Sequence, residues 1–189
     1  NIIFRNATVW TNEDVGIIDQ ADVAISQGKI IKVGVGIVGE EIFKKEYFQE
    51  IDAKGMHLTS GIIDEHSHIA ISRGVNEGSQ ASSAEVSIAN VINSDDINIY
   101  RQLSGGVTTA QLLHGSANPI GGQSGIIKFR WGSGPDQMKF EGADGFIKFA
   151  LGENVKQSNW GDYERIRFPQ TRMGVEQVFY DYFMRAKAY

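Results

Sequence analysis

The sequence predicts an α/β chain in two parts. A small β-sandwich segment covers residues 1–57, and the N-terminal part of a parallel (β/α)8-type barrel covers residues 58–189. Three observations lead there. Up to residue 57, short alternating runs are separated by turn residues and show no helical period. Beyond it, apolar runs near 62–68, 107–113, 125–131 and 145–151 are spaced by polar or helix-like stretches. The first of these runs, within Thr59-Ser-Gly-Ile-Ile-Asp-Glu-His-Ser-His-Ile69, ends in two histidines placed two apart.

Taken in order, Ile2 to Trp10 reads as a strand, and Ala21 to Ser26 alternates. The chain then turns at Gln27-Gly28 and returns through Lys29 to Val33, a hairpin signature. Tyr47 to Asp52 is a further strand, and His57 is structural. After His68 a polar connector runs from Ala70 to about Asn93, carrying Arg73, Asn76, Glu77 and Gln80. Connectors of that length are functional or disordered. Arg73 is its one cation, able to hold a substrate carboxylate or simply to be solvated. Ser94 is the expected N-cap of a short helix, with Asp95 and Asp96 in its first turn and Gly105 at its end.

Val107 to Leu113 is the second barrel strand and runs into His114, which is either a substrate-binding group or a structural hydrogen-bonder. The loop Gly115 to Gly125 is rich in Gly and Ser. It lacks the Gly-Lys-Ser/Thr ending of a nucleotide-binding loop and is expected to be a turn-rich connector. Gly125–Trp131 and Gly145–Leu151 are the expected third and fourth parallel strands. Near the end, Val175, Val178, Phe179, Tyr182, Phe183 and Ala186 repeat at helical spacing, a core-packing stripe.

Composition narrows the function classes. With 189 residues and 41% hydrophobic content the chain can bury a core. It contains no Cys, which excludes disulfides and thiolate metal ligands. A formal net charge of −5 with no basic stripe argues against nucleic acid as the main partner. No apolar run approaches the ~20 residues of a membrane span. The chain opens directly in strand-like Asn1-Ile-Ile-Phe4, which leaves room for an upstream leader and leaves the compartment open between cytoplasm and export.

The chemistry concentrates at His66 and His68. Residues i and i+2 of a strand share a face, so both imidazoles project the same way. If this strand begins a parallel barrel, they stand at its C-terminal mouth, where such barrels keep their sites. Two neutral imidazoles there form a half-site for Zn or a similar divalent metal, although each ring can also be a core or surface residue. Asp64 falls on the same face in an apolar run, and a buried carboxylate requires a partner. Lys148 interrupts the fourth apolar run. Burial there lowers an amine's pKa and frees it to add carbon dioxide, giving a carbamate anion able to bridge two metals. Lys128 sits in a similar pattern on the third strand.

The run Ile51-Asp-Ala-Lys-Gly-Met-His-Leu-Thr-Ser-Gly-Ile-Ile-Asp-Glu-His-Ser-His68 resembles the first-strand motif of the amidohydrolase superfamily. That motif reads hydrophobic-Asp-Ala-x-Gly followed by Pro-Gly-hydrophobic-Ile-Asp-x-His-x-His, and Ser60 stands where its Pro would be. Gly105-Gly-Val-Thr-Thr109 and Gly145-Phe-Ile-Lys-Phe149 are similar to the imidazolonepropionase-related and prolidase-like branch.

The resemblance implies a TIM-like, metal-dependent hydrolase of C–N bonds in an amide, dipeptide or cyclic amide. His66, His68 and a carboxylated Lys148 would be its metal ligands, with Glu153 as the rival bridge. It also implies that an N-terminal β piece is completed by a returning C-terminal piece. The later histidines and the catalytic aspartate of the family are not among these residues. The chain is therefore expected to be the N-terminal half of the enzyme, inactive and weak in metal binding by itself, and to self-associate or pair with the missing half. The alternatives are a single-metal deaminase-type relative with a structural Lys148, and a non-catalytic binding module.

Overall fold

The structure is a computed structural model that describes residues 1–44, 46–161 and 167–189. It divides into two units, Asn1–Ser60 and Gly61–Tyr189.

In the first unit, β1 (Ile2–Trp10) is the central strand. It pairs antiparallel with β2 (Ile17–Ser26), and β2 pairs antiparallel with β3 (Lys29–Gly34). Gln27 (φ 49°) and Gly28 (φ 75°) both take the left-handed backbone that a two-residue hairpin turn requires. A single helical turn, α1 (Gly39–Ile42), then leads to β4 (Gln49–Asp52), which lies parallel to β1. β5 (His57–Leu58) also lies parallel to β1. The result is one mixed five-stranded sheet, and the described residues of this unit form no second sandwich layer. Ala7, Val9, Ala21, Val23 and Ala53 form one apolar cluster. Ile3, Ala24, Ile37 and Phe43 form another.

The second unit opens with β6 (Ile62–Ser67), parallel to β7 (Val107–Leu112), with Asp64 opposite Ala110 and Ser67 opposite Leu112. The strands approach closely at Gly61, where a Cβ would stand 2.1 Å from Thr108 Oγ1. The crossover between them carries α2 (Ile97–Ser104), which completes one parallel βαβ unit. The α2 N-cap is Asp96, two residues beyond the expected Ser94, because its carboxylate accepts both Asn98 N–H (2.9 Å) and Ala70 N–H (2.8 Å). The helix ends at Gly105, as its sequence predicts.

The connector is ordered. Ser72 N–H donates to Val91 O and Asn93 N–H to Ala70 O, each at 2.8 Å. Ser82 and Ser87 make parallel bridges to Ile120 and Gln123. Ala70, Ile88, Ile92, Ile99, Ala110, Leu112, Ile127, Phe129 and Met138 form the core of the unit.

Three expectations for this half are corrected. Residues 120–123 form a strand, β8 (Ile120–Gln123), inside the supposed loop. The expected third parallel strand, β9 (Gly125–Lys128), runs antiparallel to β7. Parallel return needs a long crossover, normally helical, and residues 113–124 are spent on β8 and its approach. After the single turn α3 (Pro135–Met138), the expected fourth parallel strand is β10 (Ile147–Phe149), a short strand antiparallel to β8 and outside the β6–β7–β9 sheet. The described residues therefore do not form a closed barrel.

The last element, α4 (Arg172–Ala188), matches the predicted helix, but its stripe is not all core: Val175 and Val178 are buried, whereas Phe183 and Ala186 are exposed. It buries Gly174, Val175 and Val178, while Phe149 packs on Phe179 and stacks on Phe183. No helix of the described residues is long and apolar enough to cross a membrane.

Candidate metal centre

His66 lies in the last turn of alternation of β6 and His68 directly follows its final residue, Ser67, so the extended chain turns both rings to one side. Their Nε2 atoms stand 3.3 Å apart, with the ring planes at 83°. Lys148, half-buried at the middle of β10, brings its Nζ within 3.4 Å of His66 Nε2. His66 Nε2 thus has a nitrogen neighbour on each of two sides, and the lysine comes from a strand in a different sheet.

The hydrogen bonds fix part of the protonation. His68 Nδ1 lies 2.9 Å from Leu113 O, a carbonyl that can only accept, so the ring proton is on Nδ1 and Nε2 presents a lone pair. Partial loss of solvation at the imidazole, and then the neighbouring Lys148 and His68, push the His66 pKa down against the weaker pull of Asp64. Asp64 is engaged locally, with His66 N–H donating to its Oδ1 at 3.1 Å.

This set is incompletely satisfied by itself. If His66 Nε2 carries a proton it can serve His68, but it then presents N–H to the Lys148 ammonium. If it is bare, it accepts from Lys148 but faces the lone pair of His68. A cation between the rings resolves the conflict, so the donors fit a divalent metal. They form a half-site: among the described residues, no group of three His, Cys, Asp or Glu side chains is placed to hold a metal ion.

The other predicted residues lie as follows. Glu153 forms ion pairs with Lys156 and, at 3.1 Å, with Arg172, and these hold its carboxyl below its usual range. Lys128 Nζ sits over the Phe140 ring, 4.6 Å from its centre. Arg73 is exposed on the connector in a left-handed conformation, φ 62°. His57 accepts from Trp10 Nε1 at 3.0 Å in the first unit.

His114 is 1% exposed, and both ring nitrogens are committed to backbone. Its Nδ1–H donates to Gly115 O and its Nε2 accepts from Glu77 N–H, each at 2.8 Å. Of its two possible roles, this geometry is that of the structural hydrogen-bonder.

Sequence reading missed Asn118 and Arg167. Buried Asn118 donates to Glu77 O and Ser83 Oγ, each at 2.6 Å, and accepts from Arg167 Nη2 at 2.7 Å. Arg167 also donates to Gly78 O (2.7 Å) and Ala117 O (3.0 Å), so it ties the connector to the loop after β7. Burial pushes its guanidinium pKa down. An Asn before a Pro in a Gly- and Ser-rich loop reads as a turn, and only the burial of Asn118 distinguishes it.

A βαβ unit ending in paired imidazoles, with a lysine set against them, defines a class: α/β proteins that build a polar site at the C-terminal ends of parallel strands. Comparison with known proteins narrows it. An amidohydrolase of the fungus Hapsidospora irregularis, tasK, is 32% identical over 216 aligned residues, which cover 97% of this chain and 21% of that protein. The crystal structure of an amidohydrolase from Thermotoga maritima MSB8 superposes with a TM-score of 0.83 at 35% identity, over all of this chain and 48% of that one. A beta-aspartyl dipeptidase from Fervidobacterium islandicum AW-1 overlaps 41% of this chain and 18% of its own, at 34% identity and a TM-score of 0.32. No protein-family model matches. The chain belongs to the amidohydrolase superfamily, as the N-terminal portion of its fold. It spans about half the length of the Thermotoga structure and about a fifth of the fungal relative.

Proposed function

We propose that the whole protein is a metal-dependent amidohydrolase that cleaves a C–N bond in an amide, dipeptide or cyclic amide. The observation that carries this reading is the convergence of His66 Nε2, His68 Nε2 and Lys148 Nζ within 3.4 Å steps. His66 and His68 would hold a divalent metal through Nε2, and imidazole donors suit Zn. Bound there, the metal supplies an acidified water and polarises the substrate carbonyl. Leu113 O holds the His68 ring in the tautomer that offers Nε2. Lys148, once neutral, would attack carbon dioxide with its lone pair, form an N–C bond and release a proton, and the resulting carbamate would bridge to a second metal. Arg73 would receive a substrate carboxylate.

A second reading has a single metal and an unmodified Lys148. In that reading Lys148 Nζ, 3.4 Å from His66 Nε2, would act only as a hydrogen-bonding neighbour of the ring. The two readings separate on metal count, two or one per full-length subunit.

Exposed Ile62, Ile63, Phe149 and Leu151, together with the open apolar groove along α4 at Met173, Tyr180, Phe183 and Met184, would be covered by the remainder of the longer protein. Sedimentation of this chain with and without that remainder checks this: the reading requires one-to-one pairing in preference to self-association.

The test of function is metal content together with hydrolysis of N-acyl amino acids, dipeptides and cyclic amides by the full-length protein. His66→Ala and His68→Ala should lose both. Unchanged metal content in both variants would overturn the assignment.

A further inference from the structure

We propose that His114 is a positioning residue: pinned at both ring nitrogens, it is the fixed stop that sets Lys148 against His66. This rests on the metal-site reading above and adds the device that spaces its parts.

His66 and Lys148 lie on strands that share no ladder, since β6 belongs to the β6–β7–β9 sheet and β10 pairs only with β8. Something between the sheets must therefore determine the 3.4 Å approach of the two side chains. The His114 ring is there. Its own position is fixed by the bonds to Gly115 O and Glu77 N–H. Glu77 is held in turn, because its carbonyl accepts from buried Asn118.

Against the ring lies β8. A Cβ on Gly121 would stand 3.0 Å from His114 Nδ1 on one side and, on the other, 3.2 Å from Lys148 O and 3.3 Å from Lys148 Cβ. A Cβ on Gly122 would stand 3.1 Å from His114 Cδ2 and 2.8 Å from Val86 Cγ2. The His114 ring and Lys148 thus both border the space that a Gly121 side chain would fill, and the bare glycine is what lets them close on it. The two sides of that space differ in stiffness. The imidazole is buried and bonded at both nitrogens, whereas β10 is three residues long and paired along one edge. Added bulk at Gly121 therefore displaces Lys148 rather than His114. The residue before His114 is Leu113, whose carbonyl orients His68, so one short segment governs both the second imidazole and the amine.

The test uses the full-length protein, with Zn2+ alone as probe and a competing chelator to read affinity. Gly121→Ala should weaken Zn2+ binding about tenfold or more, the scale seen when an orienting partner of a metal site is lost. In a Lys148→Met background the same change should cost nothing further, because the group it acts through is gone. Equal losses in both backgrounds would mean a general structural role and would overturn the proposal, as would no loss in either.

A metal-free readout keeps this separate from the metal assignment. Long-range 1H–15N NMR should find His114 as the neutral Nδ1–H tautomer. A nuclear Overhauser contact between the Lys148 side chain and the His66 ring should be present in wild type and measurably weaker in Gly121→Ala. If wild type binds no Zn2+ while these signals behave as stated, the metal reading fails and the positioning role stands. An Nε2–H tautomer, or a Lys148–His66 contact undiminished by the substitution, overturns the positioning role.

Discussion

Asp22 offers a measurement of how the first unit depends on one buried charge. Its carboxylate is 4% exposed and accepts Asn6 N–H at 3.1 Å, Ile37 N–H at 3.0 Å and Arg5 Nη1 at 2.9 Å. Arg5 retains other partners without it, since it donates to Ile37 O at 2.5 Å and its Nε reaches Glu50 Oε1 at 3.0 Å. The damage in Asp22→Ala therefore falls mainly on the two backbone N–H groups. The buried Ile37 N–H costs ~1–3 kcal/mol when orphaned and the part-buried Asn6 N–H less, so the loss is on the order of 3 kcal/mol. Asp22→Asn keeps one acceptor oxygen and turns an N–H donor toward the remaining donors, orphaning about one group for ~1–3 kcal/mol. Against a total of ~5–15 kcal/mol for a small domain, both losses are measurable.

The pH dependence has a definite sign. Burial raises the pKa of the Asp22 carboxyl, but the bonds from Asn6, Arg5 and Ile37 outweigh it and hold the group below the usual carboxylate range. A depressed folded-state pKa contributes stability that is fully present above the unfolded value, ~3.9, and is lost as pH falls through the lower folded value. The unfolded chain takes up the proton first. Hydrogen exchange of β1 and β2 amides, followed from pH 7 to pH 3, should show wild type well above Asp22→Asn at neutrality, with the gap narrowing below about pH 4. A gap that stays constant or widens in acid refutes the reasoning, as does Asp22→Asn proving more damaging than Asp22→Ala at pH 7.

Other substitutions probe the second unit. Gly61→Ala places a Cβ 2.1 Å from Thr108 Oγ1 and 2.4 Å from its Cγ2, an overpacking that should cost about 1–3 kcal/mol in urea unfolding. A wild-type midpoint would show that β6 and β7 are not so closely set. Asp96→Ala removes the α2 cap and the acceptor for Ala70 N–H, and should cost ~1–2 kcal/mol, seen as faster exchange of the Asn98 and Ala70 amides. Arg167→Lys keeps the charge but cannot fork to Gly78 O, Ala117 O and Asn118 Oδ1 together, so exchange of the Glu77 and Ala117 amides should rise. Unchanged exchange there would separate Arg167 from the order of the connector.

How much of this was legible in the sequence depended on whether side chains or backbone carried the information. β1, the β2–β3 hairpin and α4 followed from alternation, a turn dipeptide and a helical stripe, each a side-chain pattern. β8 was illegible because Gly121 and Gly122 have no side chains to alternate, and its strand conformation comes from neighbours on both edges. The direction of β9 was misjudged because an apolar run looks alike in parallel and antiparallel pairing, and only the connection before it decides. The shift of the cap from Ser94 to Asp96 turned on Ala70 N–H, far away in sequence. At the site, His66, His68 and Lys148 could be singled out by residue type and position. His114 could be singled out as well, but the choice between its two roles could not be made, because both of its partners are backbone atoms.

The same distinction bears on how the nitrogen cluster is made. Neither β6 nor β10 has a ladder bond to the other, and their side chains meet only because the segment from Leu113 to Asn118 is fixed at several points. Leu113 O orients one imidazole, His114 spaces the lysine through Gly121, and Asn118 anchors the connector that holds His114 in place. Donor atoms exposed at a strand end would otherwise lose their geometry to side-chain rotation, since His66 and His68 are both exposed. Here the rigidity comes from a buried polar network in which Asn118 and His114 make bonds from each side-chain nitrogen or oxygen. Such a network tolerates change poorly at its buried members and well at its exposed ones. Substitutions at Asn118 should therefore disturb the His66–Lys148 approach more than substitutions at exposed Arg73, although Asn118 is not itself one of the converging groups.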